Sequence, residues 1–253
     1  MNGRNIALLL TFLLGIFILI GVILAFFLNK KSKVMDFILA MAFGIIVMLI
    51  LTDLLPETIE HLTMKYIFLF LIFSMVGFLL FKILDSFVPK HQHNKMTKTE
   101  MEDNIAHIGT LTTFALVLHN IIEGMAIFIA ASSDISLGIM MSLGVGLHNI
   151  PLGMVISSTF YQSHTKHRSY IFYLILFIIS SFIGGLIPYC FNISDVNDIV
   201  MGSLLALTLG MLCYIVVMEL YPRIIKTSNK KVTVAGFITG ILLLVITLFI
   251  HVH

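Results

Sequence analysis

Residues 107–131 read HIGTLTTFALVLHNIIEGMAIFIAA, and after a short polar break residues 136–160 read SLGIMMSLGVGLHNIPLGMVISSTF. Each stretch is apolar and long enough to cross a hydrocarbon core, which takes about 20 helical residues. Each carries a His-Asn pair at its middle, His119-Asn120 and His148-Asn149. Aligned, residues 119–127 and 148–156 agree at six of nine positions: His, Asn, Ile, Gly, Met and Ile. Adjacent membrane helices run in opposite directions, so the repeat is inverted. A pseudo-two-fold axis in the membrane plane would bring the two pairs together at mid-depth. Repeat-built transporters place their substrate sites at such interfaces.

The rest of the chain supports a membrane setting. Of its 253 residues, 59% are hydrophobic and 11% charged, against roughly 45–50% and 25% in soluble domains. Mean hydropathy is +1.07. Such a chain has too few charges to cover a water-facing surface. A net charge of +2 without a basic face also excludes a nucleic-acid partner. Cys190 and Cys213 lie in apolar stretches and imply no disulfide framework. Eight stretches are predicted to span, near 6–28, 34–55, 66–84, 107–131, 136–160, 170–190, 199–222 and 232–250. None alternates as a barrel strand does, so the expected fold is an all-α membrane protein of eight helices. Residues 1–253 read as one transmembrane domain. Its longest connection, 85–106, is expected to be a mobile cytoplasmic loop bearing His91 and His93.

Charge sets the expected orientation. All but Arg4 and Lys65 of the 15 Lys and Arg residues fall near the connections after spans 1, 3, 5 and 7. The positive-inside rule makes those connections cytoplasmic and both termini extracytoplasmic. The opposite side leans acidic, with Glu57, Glu60, Asp134, Asp195 and Asp198. Lys30, Lys31 and Lys33 follow the first span, which marks a retained helix rather than a cleaved signal.

Polar residues inside the spans carry the chemistry. An acid at a helix centre costs about 2.5–3.5 kcal/mol on insertion scales, so it faces water or a partner. Glu123 follows His119 by four residues and shares its helix face. Imidazole nitrogen with carboxylate oxygen suits borderline divalent cations, zinc above all. Asn120 and Asn149 can add amide oxygens or hold water. Pro151 removes a backbone donor and frees the Leu147 carbonyl beside His148. Gly138, Ser142 and Gly146 form a small-residue stripe that admits a close neighbour. A second symmetric pair flanks this centre: Asp53-Leu54-Leu55-Pro56 ends span 2 and Glu219-Leu220-Tyr221-Pro222 ends span 7. With the expected orientation, Asp53 lies near the outer mouth and Glu219 near the cytoplasmic end.

Each residue also has a plainer reading. A lone intramembrane His is more commonly a hydrogen-bonded packing residue than a ligand, but two central His-Asn pairs with a Glu one turn away reverse that balance. Glu219 could pair with Arg223 at i+4, and Asp53 could be a solvated helix-end acid. His91 and His93 could be ordinary loop residues. The many Met and Phe side chains read as lipid-facing bulk and packing.

His-Asn-x-x-Glu-Gly at 119–124 and His-Asn-Ile-Pro-x-Gly at 148–153, in an eight-span chain with both ends outside, resemble the ZIP (Zrt/Irt-like) metal-ion transporters. The resemblance implies import of zinc or a related divalent cation into the cytoplasm by alternating access. It implies metal-ligand roles for His119, Asn120, Glu123, His148 and Asn149, and a second metal position involving Glu219. It also implies a route lined by spans 2 and 7. One departure stands out: Leu152 occupies the position where the family usually has Glu. The expectation is therefore one main site made by His119, Glu123 and His148.

No Walker-type glycine loop is present, so no nucleotide-driven step is expected. No tightly bound cofactor is expected either: the cation is cargo, and the other partner is the lipid bilayer. The compact form suits a prokaryotic plasma membrane, and pairing into a homodimer is left open. Two other readings compete: an intramembrane zinc hydrolase, and a non-transporting metal sensor. The hydrolase reading is weakened because His-x-x-x-Glu is not the His-Glu-x-x-His protease arrangement and no spare base remains.

Overall fold

The computed structural model describes residues 3–28, 35–87, 98–163, 167–227 and 229–252. They form an all-α bundle: α1 (Gly3–Leu28), α2 (Met35–Leu49), α3 (Leu55–Leu62), α4 (Ile67–Phe87), α5 (Lys98–Ser133), α6 (Ile135–Gln162), α7 (His167–Cys190), α8 (Asp198–Tyr214), α9 (Tyr221–Lys226) and α10 (Lys230–Val252). Two π-helical turns, Ile50–Leu54 and Ile215–Leu220, join α2 to α3 and α8 to α9 into continuous rods. Among the described residues, seven helices are long and apolar enough to cross a membrane, from Gly3–Phe27 through Asp198–Lys226. α10, where the eighth span is expected, is a further helix of 23 residues.

The helices extend beyond the expected spans at two functional places. The second span, expected to stop at residue 55, runs on through α3 to Leu62. Pro56 does not end it because the preceding turn is π-helical. The Leu55 N–H reaches back five residues to the Ile50 carbonyl, which widens the turn ahead of the proline ring. Pro222 is accommodated in the same way, with the Tyr221 N–H bonded to the Val216 carbonyl. Pro151, by contrast, lies inside the unbroken α6. The expected 85–106 loop is also shorter, since α4 continues to Phe87 and α5 begins at Lys98. His91 and His93 lie outside the described residues.

Glycines set the close approaches, and they occur in matched pairs. On α6, a Cβ at Gly153 would strike the Ile18 carbonyl of α1, while one at Gly21 of α1 would strike the Ile150 carbonyl of α6. On α5, Gly124 faces the Ser181 carbonyl of α7, and Gly184 of α7 faces the Ile121 carbonyl. Positions 121 and 124 are the repeat equivalents of 150 and 153. The pattern recurs between α2 and α10, where Gly44 abuts the Phe237 carbonyl and Gly240 the Met41 carbonyl. It recurs again between α4 and α8, with Gly210 against the Ser74 carbonyl and Gly77 against the Leu207 carbonyl. Helices in lipid gain little from hydrophobic burial, so backbone-to-backbone packing at small residues holds them together. The bundle is pseudo-symmetric in its packing. The expected small-residue stripe on α6 is used in part, with Gly146 seated against the Phe17 ring of α1 and Ser142 buried.

The central pair, α5 and α6, sits among α1, α7, α8 and α2. α4 is peripheral, with Phe68, Leu71, Met75, Leu79 and Ile83 exposed on its outer face.

Candidate metal centre

α5 contributes His119 and Glu123 one turn apart, and α6 contributes His148 from across the interface. Both imidazoles converge on one carboxylate oxygen: His148 Nε2 lies 3.0 Å from Glu123 Oε1, and His119 Nε2 lies 3.1 Å from it. The two rings are near-parallel, with centroids 6.5 Å apart. His119 is fully enclosed, and His148 and Glu123 are nearly so. The two central histidines that the sequence places at mid-span do meet.

Asp53 joins them. One ligand atom from each of Asp53, His119, Glu123 and His148 lies within 4.8 Å of the others. The sequence reading put Asp53 at the outer mouth, apart from the histidines. The π turn that holds it and the helical run through α3 place it against the centre instead. A second carboxylate therefore reaches the histidines from a third rod. Glu57, one turn beyond Asp53 on the same helix face, continues the acidic line outward.

Glu219 is not part of this cluster. Its carboxylate groups with Asp85 and His107, again within 4.8 Å of one another. Asp85 and His107 are buried, and neither was singled out from the sequence. His107 Nε2 and Asp85 Oδ1 are 2.5 Å apart, and the Tyr214 hydroxyl donates to Asp85 Oδ2 at 2.8 Å. The signal available for His107 was a second imidazole within the fourth span. For Asp85 it was an acid four residues before a string of connection residues.

The donor sets suit a divalent cation. Two imidazoles and two carboxylates make a borderline set with two negative charges, complementary to zinc and its neighbours. Buried polar atoms at the centre also lack protein partners among the described residues. They include His119 Nδ1, Glu123 Oε2 and both amide atoms of Asn120 and Asn149. His119 Nε2 is near Glu123 without hydrogen-bond alignment. Burying a polar group unsatisfied costs about 1–3 kcal/mol, and a bound cation with its hydrating water offsets that cost. Leu152, one turn after His148, is fully buried and belongs to the main apolar core.

A multi-pass helical bundle with His/carboxylate clusters buried inside it is a membrane protein built around a cation. The ZIP Zinc transporter family model matches residues 90–248, and the chain belongs to the ZIP family of metal-ion transporters. It is thus a divalent-metal transporter, and the family assignment sets the hydrolase reading aside. Among similar proteins is the "Zinc transporter ZupT" of Escherichia fergusonii, 29% identical over 222 residues, covering 86% of each chain. The protein of that name from Clostridium perfringens is 26% identical, covering 100% of this chain and 98% of its own. That of Salmonella heidelberg is 29% identical, covering 97% of this chain and 96% of its own.

Proposed function

We propose that this chain carries zinc, or a closely related divalent cation, across the plasma membrane into the cytoplasm by alternating access. The observation that carries this reading is the convergence of Asp53, His119, Glu123 and His148 from three different rods. A site shared between elements that can move apart binds in one arrangement and releases in the other. In this reading Asp53, His119, Glu123 and His148 are ligands, and Asn120 and Asn149 hold the cation's remaining water or supply amide oxygens. Glu219 serves a second position further along the route. α10 is the eighth span, residues 1–253 form one transport domain, and both termini are extracytoplasmic. The two halves are related by inverted symmetry centred on α5 and α6. Zinc as cargo is supported by the names of the similar proteins and by the nitrogen-containing donor set.

Uptake of radioactive zinc into proteoliposomes tests the reading. His119→Ala and Glu123→Gln are each expected to lower initial uptake at least tenfold while leaving the protein monodisperse. Uptake of every divalent cation at the wild-type rate by both variants would sink the proposal.

A further inference from the structure

The cluster around Asp85 lies one helix length away from the central ligands in sequence and is tied by different bonds. α4, α5 and the α8 rod each supply one part: Asp85, His107, and Tyr214 with Glu219. Both oxygens of Asp85 are engaged by protein groups, Oδ1 by His107 and Oδ2 by Tyr214. The three rods are therefore knotted together at the ends that adjoin the 88–97 connection. His107 Nδ1 is itself buried without a partner among the described residues. Glu219 stands in the π turn that begins directly after Tyr214, so its carboxylate sits on the most adjustable backbone of that rod.

We propose that Asp85, His107 and Glu219 form an inner, cation-operated gate, with Tyr214 as the residue that holds it shut. The proposal rests on the transport reading and deepens it by assigning a second cation position to residues of α4 and α5. A divalent cation arriving from the centre takes His107 Nε2, an Asp85 oxygen and a Glu219 oxygen as ligands. The hydrogen bond between His107 and Asp85 breaks, and the proton that joined them passes to water, as metal binding to protonated ligands requires. The cation then stands where the bond stood. With the ion gone, the bond between Asp85 and His107 re-forms and reseals the rods. The donor set of one nitrogen and two carboxylates favours zinc, manganese, iron or cadmium over magnesium, which prefers oxygen ligands with retained water.

Equilibrium dialysis of the purified full chain against zinc alone, with metal quantified per chain, tests the gate. The wild type is expected to bind two ions. Asp85→Asn and His107→Gln, which keep side-chain size, are each expected to bind one, as is His119→Ala, and His107→Gln combined with His119→Ala none. Tyr214→Phe removes the hydroxyl that competes for Asp85, so it is expected to keep two ions and to tighten the weaker one several-fold. One ion in the wild type, or two in both Asp85→Asn and His107→Gln, would overturn the inner site. Unchanged or weaker binding in Tyr214→Phe would overturn the gate. Zinc uptake by His119→Ala is the separate readout for the transport reading, since loss of the inner ion alone leaves the central site filled.

Discussion

At the residue scale, the centre depends on how two carboxylates and two imidazoles share one small volume. Glu123 Oε1 receives both histidines, so removing its charge takes away the single group that both rings face. Leu152 makes the complementary point. It is fully buried in the apolar core, one turn after His148, where related chains carry a carboxylate. Asp53 supplies a second acid to the cluster from a neighbouring rod, which explains how the site keeps two negative charges without one at residue 152. Leu152→Glu is expected to bury an acid that needs a cation. Its melting temperature without metal should fall, in keeping with a cost of several kcal/mol for an unpaired buried charge. Added zinc should recover most of that loss, and more zinc should be retained at the centre after dialysis. A loss that zinc does not recover would mean that residue 152 faces only the apolar core. The ligands of α5 and α6 were legible because they break long apolar runs at equivalent places. Asp53 was read as a mouth residue because a proline three positions on looked like a helix stop.

At the element scale, the two proline-linked acids show what the sequence carried and what it left implicit. Acid, Leu, any residue, Pro was visible as a matched pattern at 53–56 and 219–222. Its structural meaning, a π turn that carries the acid and passes the proline without ending the rod, depends on a hydrogen-bond shift of one residue. No composition or periodicity announces that shift. The same holds for Asp85 and His107: helix ends drawn two to nine residues short put one in a loop and left the other at a span edge. A π turn is an adjustable joint because it holds one residue more than an α turn needs. Pro56→Ala and Pro222→Ala restore the backbone donor and favour collapse of the turn to regular α-helix, rotating the preceding acid. Each is expected to lower zinc uptake several-fold with little change in melting temperature. Uptake at the wild-type rate by both variants would show that the turns are incidental to the route.

At the scale of the whole molecule, the paired glycine contacts give the inverted repeat more reach than its short motifs. Gly21 with Ile150 answers Gly184 with Ile121, and Gly44 with Phe237 answers Gly210 with Ser74. The correspondence carries Asp53 onto Glu219 and His148 onto His119. Yet the two halves differ at the acids: Asp53 joins the central histidines, while Glu219 is grouped with Asp85 and His107. A symmetric chain held in an asymmetric arrangement has a counterpart of similar energy in which the halves exchange shapes, and interconversion of the two moves the access side of a transporter. The exchanged form is predicted to bring Glu219 to His119 and to withdraw Asp53. In a background of Cys190→Ser and Cys213→Ser, the pair Asp53→Cys with His148→Cys should cross-link in membranes. The mirror pair Glu219→Cys with His119→Cys should cross-link as well. In a chain bearing all four cysteines, closing the first link should prevent the second, because each fixes one of the two forms. Absence of the mirror link under any condition, or simultaneous formation of both, would rule out the exchange.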